Sequence, residues 1–229
     1  MTITPDQQQR IDDLLLLLAR ATTPPDVTNQ YAAHAADPAT LAANAQRRTN
    51  LHRALALAVA EPPELLLIAE APGYRGARRT GIPFTSDDLL VRGVAPLAMF
   101  GPQHGFALAE HDGKLLREQT ATIVWRTLAH LKVRAAGWNA YPFHPHRANQ
   151  PQSNRTPRSS ELREGQSFLL QFRALFPTLP VLAMGNSAHR ALTWLDIPHH
   201  KIRHPAQGGA QLFARGLHEF VATLPHPAP

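Results

Sequence analysis

The chain has 229 residues, of which 44% are hydrophobic, and it contains no cysteine. Without cysteine it has neither disulfides nor cysteine-ligated zinc or iron–sulfur centres. Its 23 lysines and arginines exceed its 17 acidic residues, which gives a formal charge of +6. This excess favours a polyanionic partner such as nucleic acid, although a GC-rich genome also encodes arginine freely. No apolar run is long enough to cross a bilayer, and residues 1–10 do not resemble a secretory signal, so we expect a cytoplasmic, membrane-free protein.

The first part of the chain predicts two helices. Residues 6–20 carry an apolar face of leucines, and the sequence TTPPD then interrupts the helix. Residues 38–60 are rich in alanine and are followed by EPPE, which stops the second helix. We expect residues 1–60 to form a helical extension packed on a core domain that covers residues 61–229.

The core domain alternates strands with helices. Continuous apolar residues at 65–69 predict a strand that is buried on both faces. Further strands are predicted at 134–141, 180–184 and 199–203. Helices are predicted at 117–131, 161–175, 187–195 and 209–223, with short helical pieces at 86–100. Residues 142–160 are predicted to form a long polar loop. This alternation predicts a three-layer α/β/α fold around a mainly parallel four-stranded sheet.

Polar residues stand where these strands end. Glu70 follows the first strand, Asn139 lies near the end of the second, Gly185-Asn186 follows the third and His204 follows the fourth. Ligands of open parallel sheets bind at the carboxyl ends of the strands. Each residue alone could serve a local turn or cap, but their shared position predicts a binding site.

Five short motifs lie on these elements in order: AEAPG (69–73), GIPF (81–84), WNAYP (138–142), MGNSA (184–188) and RHP (203–205). Together they resemble the uracil-DNA glycosylase superfamily, and the nearest resemblance is to its family 4 type. The resemblance extends from about residue 64 to 222. It implies a DNA glycosylase active in base excision repair, which flips its target base out of the helix.

The resemblance implies roles that the chemistry of the side chains also supports. Glu70 would orient or deprotonate the attacking water, and a neutral His204 would donate a hydrogen bond to O2 of the departing base. Asn139 has the donor and acceptor that pair with O4 and N3–H of uracil. Phe84 offers a stacking surface for the base, although a core phenylalanine is an equal alternative from the residues alone, and Pro72 and Gly73 complete the predicted base pocket.

The chain departs from the family pattern at several positions. Ala69 replaces the usual glycine, GIPF comes one residue late, and the cysteines of the iron–sulfur cluster are missing, so no cofactor is expected. Gly73 stands where well-known members place a tyrosine that bars the methyl group of thymine. AQGG follows RHP in place of a Ser-Pro-Leu wedge, which leaves Gln207 and Leu212 as candidates for an intercalating residue.

A monomer is expected to bind single- or double-stranded DNA through arginines and flexible backbone. The candidate phosphate contacts are Arg75, Arg78, Arg79, Arg147, Arg155, Arg203, Gln207, Gly208 and Gly209. The arginines could equally be solvated surface charges.

Two other functions compete with this interpretation. His144 and His146 form a His-x-His pair, a common metal-binding spacing, which would suit a metal-dependent phosphohydrolase or nuclease. No acidic D-x-D cluster accompanies the pair. The other alternative is a binder of damaged bases whose altered loops no longer support catalysis.

Overall fold

A computed structural model describes residues 3–224 of the chain. Its α-helices are α1 (Pro5–Arg20), α2 (Pro38–Ala60), α3 (Ala77–Thr80), α4 (Asp87–Arg92), α5 (Gln119–Leu131), α6 (Ser159–Glu164), α7 (Gln166–Ala174), α8 (Asn186–Trp194) and α9 (Ala210–Val221). Its strands are β1 (Val27–Thr28), β2 (Leu65–Ala69), β3 (Ala135–Asn139), β4 (His144–Pro145), β5 (Val181–Met184) and β6 (His200–Ile202), and short 3-10 turns lie at Ala95–Leu97 and Pro102–His104.

The central sheet has four strands in the order β3-β2-β5-β6, and every neighbouring pair is parallel. Residue Ala69, which ends β2, is in register with Asn139, which ends β3. On the other side of β2, Ile68 pairs with Ala183 of β5. The predicted α/β/α fold with a mainly parallel sheet is therefore confirmed, and the strand ends meet along one edge.

Hydrophobic packing on both faces explains why β2 carries no polar residue. Its side chains alternate between two apolar clusters, with Leu66 and Ile68 in one and Leu65, Leu67 and Ala69 in the other. Helices α1, α2, α7 and α8 supply residues to the first cluster, and α5 and α9 supply residues to the second. Within residues 3–224, no helix combines the length and apolar character needed to cross a membrane.

The amino-terminal segment shares its core with the rest of the chain. Ile11 and Leu14 of α1 belong to the same buried cluster as Trp138 of β3. Strand β1 pairs antiparallel with β4 inside the segment that the sequence predicted to be a polar loop. That prediction was wrong for residues 142–146, because they are all buried and the pairing of β1 with β4 satisfies part of their backbone hydrogen bonding. The domain boundary near residue 60 stays a prediction.

The predicted helix at 161–175 is divided at Gly165 into α6 and α7. Gly165 nevertheless keeps helical angles, φ −63° and ψ −20°, and its carbonyl oxygen accepts from the N–H of Leu169 at 3.0 Å. The two helices therefore form one nearly continuous segment, as the sequence predicted. A side chain at Gly165 would overlap the carbonyl oxygen of Ala140, just beyond β3, so glycine allows the segment to pass this close to the sheet.

Arg79 lies inside the protein, at the centre of a network of carboxylates. Its Nε donates to Asp87 Oδ2 at 2.6 Å, its Nη2 to Asp112 Oδ1 at 2.9 Å, and its Nη1 to Glu110. Arg47 of α2 also donates to Glu110, and only 3% of the Arg79 side chain is exposed. The prediction that Arg79 contacts phosphate is therefore wrong, because its hydrogen-bond donors are engaged and it lacks a solvent-facing surface.

We expect Arg79→Ala to lower the free energy of unfolding by about 3–5 kcal/mol, because it leaves the buried Asp87 without a counter-charge. Arg92→Ala is the matched control, since Arg92 pairs with Asp88 on the surface of α4 with 55% of its side chain exposed. The control should cost less than about 1 kcal/mol. Denaturant unfolding of both variants tests this, and equal losses would contradict the network's role.

Candidate functional site

A pocket of about 190 Å³ opens at the carboxyl edge of the sheet. Each of the four strands contributes to its wall: Glu70 follows β2, Asn139 ends β3, Met184 ends β5 and His204 lies two residues beyond β6. Pro72, Gly73 and Phe84 line it too. Pockets for drug-sized ligands usually occupy about 300–1,000 Å³, so this one suits a smaller group.

The Glu70 carboxylate is held at one oxygen and free at the other. Ser187, in the first turn of α8, donates its hydroxyl to Glu70 Oε2 at 2.6 Å. Oε1 has no hydrogen-bond partner within residues 3–224. The helix N-terminus favours a negative charge beside it. Glu70 therefore presents one accepting oxygen to the pocket in a fixed orientation.

His204 is arranged to act as a neutral hydrogen-bond donor. Its Nδ1 accepts from the backbone N–H of Ala206 at 3.1 Å, so the ring proton of the neutral imidazole must be on Nε2. Burial, followed by the charge of Arg203, lowers the pKa of His204 below its usual value. The imidazole is accordingly neutral at physiological pH, with its Nε2–H available.

Asn139 has an amide with no internal partner. Only 4% of the residue is exposed, and its side-chain amide makes no hydrogen bond to any residue from 3 to 224. Buried amides are rarely left unpaired. Its donor and acceptor are therefore available to a ligand that fills the pocket.

Two contacts fix Phe84, one to its ring and one to its backbone. It lies over Gly137 of β3, where a Cβ atom would come within 2.5 Å of the ring. The Phe84 carbonyl accepts a hydrogen bond from Trp125 Nε1 at 2.7 Å, and the Phe84 backbone has a left-handed φ of 57°. Such strained conformations cost of order 1–3 kcal/mol and are common at binding sites.

The loop that carries Pro72 is fixed by His144. The imidazole Nδ1 lies 2.7 Å from the Pro72 carbonyl oxygen, and Nε2 lies 3.2 Å from the Pro151 carbonyl. Burial lowers the pKa of His144 to about 4, so the ring is neutral. Its shorter contact identifies Nδ1 as the donor.

These contacts also argue against a metal at the His144–His146 pair. Both ring nitrogens of His144 face carbonyl oxygens, and Nδ1 of His146 lies 3.0 Å from the Arg147 carbonyl. In the described part of the chain, no three His, Asp or Glu side chains are grouped as metal ligands. The pair serves the loop structure instead.

Sequence reasoning missed two polar residues that line this pocket, Glu118 and Thr120, and it missed the bond between Ser187 and Glu70. Glu118 is the residue just before α5. Ser187 belongs to the MGNSA motif, which offered a signal for its position. Nothing in the sequence around Glu118 or Thr120 indicated that the fold brings them to the same pocket as Glu70.

A second, more open cavity adjoins the pocket and shares Glu70, Arg155 and His204 with it. Lys201, Arg203 and Gln207 line this groove and are exposed. Gln207 has a left-handed φ of 52°. The groove is therefore basic along one side and leads to the pocket.

The arginines predicted to bind DNA fall into two groups. Arg75, Arg147 and Arg203 are exposed and have no carboxylate partner in the described residues. Arg78 pairs with Glu110 at 3.2 Å. Arg155 forms a two-pronged pair with the buried Glu161 at 2.6 and 2.7 Å. Arg155 therefore anchors its loop, and the prediction that it grips phosphate is wrong.

The glycines after His204 also differ from each other. Gly208 is exposed, and a Cβ atom there would meet nothing within 4 Å. Gly209 is buried, and a Cβ there would overlap the carbonyl oxygen of His204. The prediction of a phosphate contact is wrong for Gly209, because the residue is buried and its backbone N–H already donates to the carbonyl oxygen of Ala206 at 3.1 Å.

Comparison with known proteins gives the family. The family model that describes the sequences of the uracil DNA glycosylase superfamily matches residues 58–229 of this chain. The chain belongs to this superfamily. The resemblance to this superfamily that the sequence motifs predicted is therefore confirmed. Glu70, Asn139 and His204 lie within the matched region.

A solved structure shares the fold of this superfamily member. Wild-type SMUG2 from Pedobacter heparinus superposes with a TM-score of 0.56 at 14% sequence identity, over 93% of this chain and 97% of that chain. No curated protein matches the chain. At this identity the likeness concerns the fold alone, and the roles of the pocket residues stay predictions.

Proposed function

We propose that this superfamily member is a DNA glycosylase that hydrolyses the N-glycosidic bond of uracil, or of a related deaminated base, in DNA. One observation carries the proposal. Glu70, Asn139 and His204 each present a free polar atom to the same small pocket, while Glu70 and His204 are held in place by other bonds. The hydrolysis needs an acceptor for the proton of water, an amide that reads the base, and a neutral donor to the departing base, and Glu70, Asn139 and His204 supply these three groups.

The base would be recognised after it leaves the DNA stack. Its ring would lie against Phe84, and base–aromatic stacking contributes about 1–3 kcal/mol. The Asn139 amide would donate to O4 and accept from N3–H of uracil. Cytosine has the reverse pattern, so it would leave the buried amide mispaired.

Bond cleavage would place positive charge on the sugar and negative charge on the base. As the C1′–N1 bond breaks and the base takes its electron pair, His204 Nε2–H would donate to O2 of the base. Loss of one such donor typically costs 10²–10³ in rate. Glu70 would stabilise the cationic sugar, and its free Oε1 would accept a proton from the water whose oxygen bonds to C1′.

The test is an oligonucleotide with one uracil, labelled at its end, that is incubated with the protein and then treated with hot alkali. Abasic sites break under alkali, so a single cleavage at the uracil position supports the proposal. The reaction is run in EDTA, where a metal-dependent nuclease would be inactive. An intact strand that the protein nonetheless binds more tightly than its thymine counterpart would identify a base binder instead.

We expect Glu70→Gln and His204→Ala each to lower the excision rate at least about tenfold, with little change in affinity for DNA, because their contacts strengthen in the transition state. Single-turnover rates and DNA titrations separate the two effects. Glu219→Gln, an exposed change on α9, is the control. Excision at the wild-type rate in both variants would contradict the mechanism.

Asn139→Asp should shift selectivity from uracil towards cytosine. An aspartate replaces the amide donor with an acceptor, which matches the 4-amino group of cytosine. Parallel assays on uracil- and cytosine-containing strands measure the ratio of kcat/KM values. A folded variant with unchanged uracil activity would place base reading elsewhere.

The exposed and the paired arginines should respond differently to substitution. Arg147→Ala with Arg203→Ala should weaken binding to any DNA sequence and reduce the slope of log K against log salt by about 0.7–0.9 for each lost phosphate contact. Arg155→Ala should instead lower the melting temperature, because it removes the two-pronged partner of the buried Glu161 and leaves that carboxylate only its bonds to Arg158. DNA titrations at several salt concentrations and thermal melts decide between these outcomes, and an unaltered slope in the double variant counts against this DNA surface.

A further inference from the structure

Glu118 is a pocket residue to which the mechanism above gives no role. Its backbone is firmly placed, since its carbonyl oxygen accepts from the N–H and hydroxyl of Thr122 at 3.0 and 2.9 Å. Its side chain does not cap α5, which begins at the next residue. The carboxyl group reaches the pocket instead, from a fixed point on a helix packed in the core.

The turn from Gly73 to Gly76 makes room for this carboxyl group. A Cβ atom at Gly73 would overlap Glu118 Oε1, and one at Gly76 would overlap Oε2. Neither glycine has a left-handed φ, and at both positions a side chain would occupy the space of the Glu118 carboxyl group.

The Glu118 carboxyl group has no partner inside the protein. Neither oxygen forms a hydrogen bond or an ion pair with any residue that the structure describes. The buried carboxylates Asp87 and Glu161 differ, because each bonds an arginine. The Glu118 side chain is partly buried in the pocket wall, so a ligand that displaces water there would leave its carboxyl group in need of a partner, and that partner would come from the ligand.

We propose that Glu118 is a base-recognition residue, whose carboxyl group donates a hydrogen bond to the carbonyl oxygen of the flipped base on the side facing the Gly73–Gly76 turn. The inference rests on the proposed function and specifies its substrates further. A carbonyl oxygen such as O4 of uracil has two lone pairs. The Asn139 amide donates to the lone pair on the N3 side of this oxygen, and the Glu118 carboxyl group donates to the lone pair on the C5 side. The pocket is thereby selective for bases with a keto group.

The proton that this bond requires is present near neutral pH. Burial alone raises the pKa of Glu118 to about 7, and a base that expels the remaining water disfavours the charged form further. The donor is therefore available below about pH 7 and is lost as the pH rises through this value.

The charged and titratable groups around Glu118 are few and mostly engaged. In the pocket, Glu70 bonds Ser187, Arg155 pairs with Glu161, and His204 is neutral. The glycine turn and α3 supply Tyr74, Arg75 and Arg78. The Arg75 guanidinium lies 5.3 Å from the centre of the Tyr74 ring, and Arg78 pairs with Glu110. Arg117, next to Glu118 in sequence, pairs with Asp88.

The experiment compares Glu118→Gln and Glu118→Ala with the wild type on uracil-containing DNA between pH 6 and pH 8.5. Wild-type kcat/KM should fall as pH rises through about 7, whereas Glu118→Gln, whose amide keeps a donor at every pH, should show no such fall. Glu118→Ala should lose about tenfold at pH 6, as expected for one missing hydrogen bond in a buried site. Glu219→Gln, far out on α9, should follow the wild type. An equal loss in the Gln and Ala variants, or the same alkaline fall in Glu118→Gln, would overturn the proposal.

A binding measurement separates this proposal from the proposed function. DNA that contains 2′-fluoro-2′-deoxyuridine resists hydrolysis, because fluorine destabilises the cationic sugar, so its affinity reports base recognition without turnover. If the wild type releases no uracil, the glycosylase proposal fails. Weaker binding of this probe by Glu118→Ala but not by Glu118→Gln at pH 6 would still support the role of Glu118, and equal binding by all three proteins would refute it.

Discussion

The parallel pairing of β2 with β3 and β5 is the constraint on which the site depends. Parallel strands about 4.8 Å apart bring their carboxyl ends to one edge, and the register sets Ala69 beside Asn139. Glu70 and Asn139 are therefore close enough to contact one small ligand. A shift of one residue would turn every side chain of β2 to the other cluster, so the packing of both clusters also fixes the geometry of the pocket.

The functional groups of the pocket are tied at one end and free at the other. Ser187 holds one oxygen of Glu70, the Ala206 N–H sets the tautomer of His204, and Trp125 fixes the backbone of Phe84. Such arrangements lower the cost of ordering the groups when the ligand arrives. The partners come from α8, the loop after β6 and α5, so the site depends on the packing of helices on both faces of the sheet.

Charge in this protein serves the interior as well as the surface. Arg79 and Arg155 are committed to buried carboxylates, and Arg47 joins the same network as Arg79. The formal charge of +6 does not distinguish these arginines from the exposed Arg147 and Arg203. The two groups differ in whether folding brings a carboxylate close. An arginine with such a carboxylate is held inside the protein, and an arginine without one stays exposed to solvent.

The sequence by itself determined the order of strands and helices and the residues at the strand ends, because apolar periodicity and the motifs around Glu70, Asn139 and His204 are local. It also indicated the superfamily. The tertiary structure decided which arginines are internal, that Gly165 packs against Ala140, that Ser187 bonds Glu70, and that Glu118 lines the pocket. Ser187 is 117 residues away from Glu70 in sequence, and such contacts depend on the packing of distant segments, which no local pattern encodes.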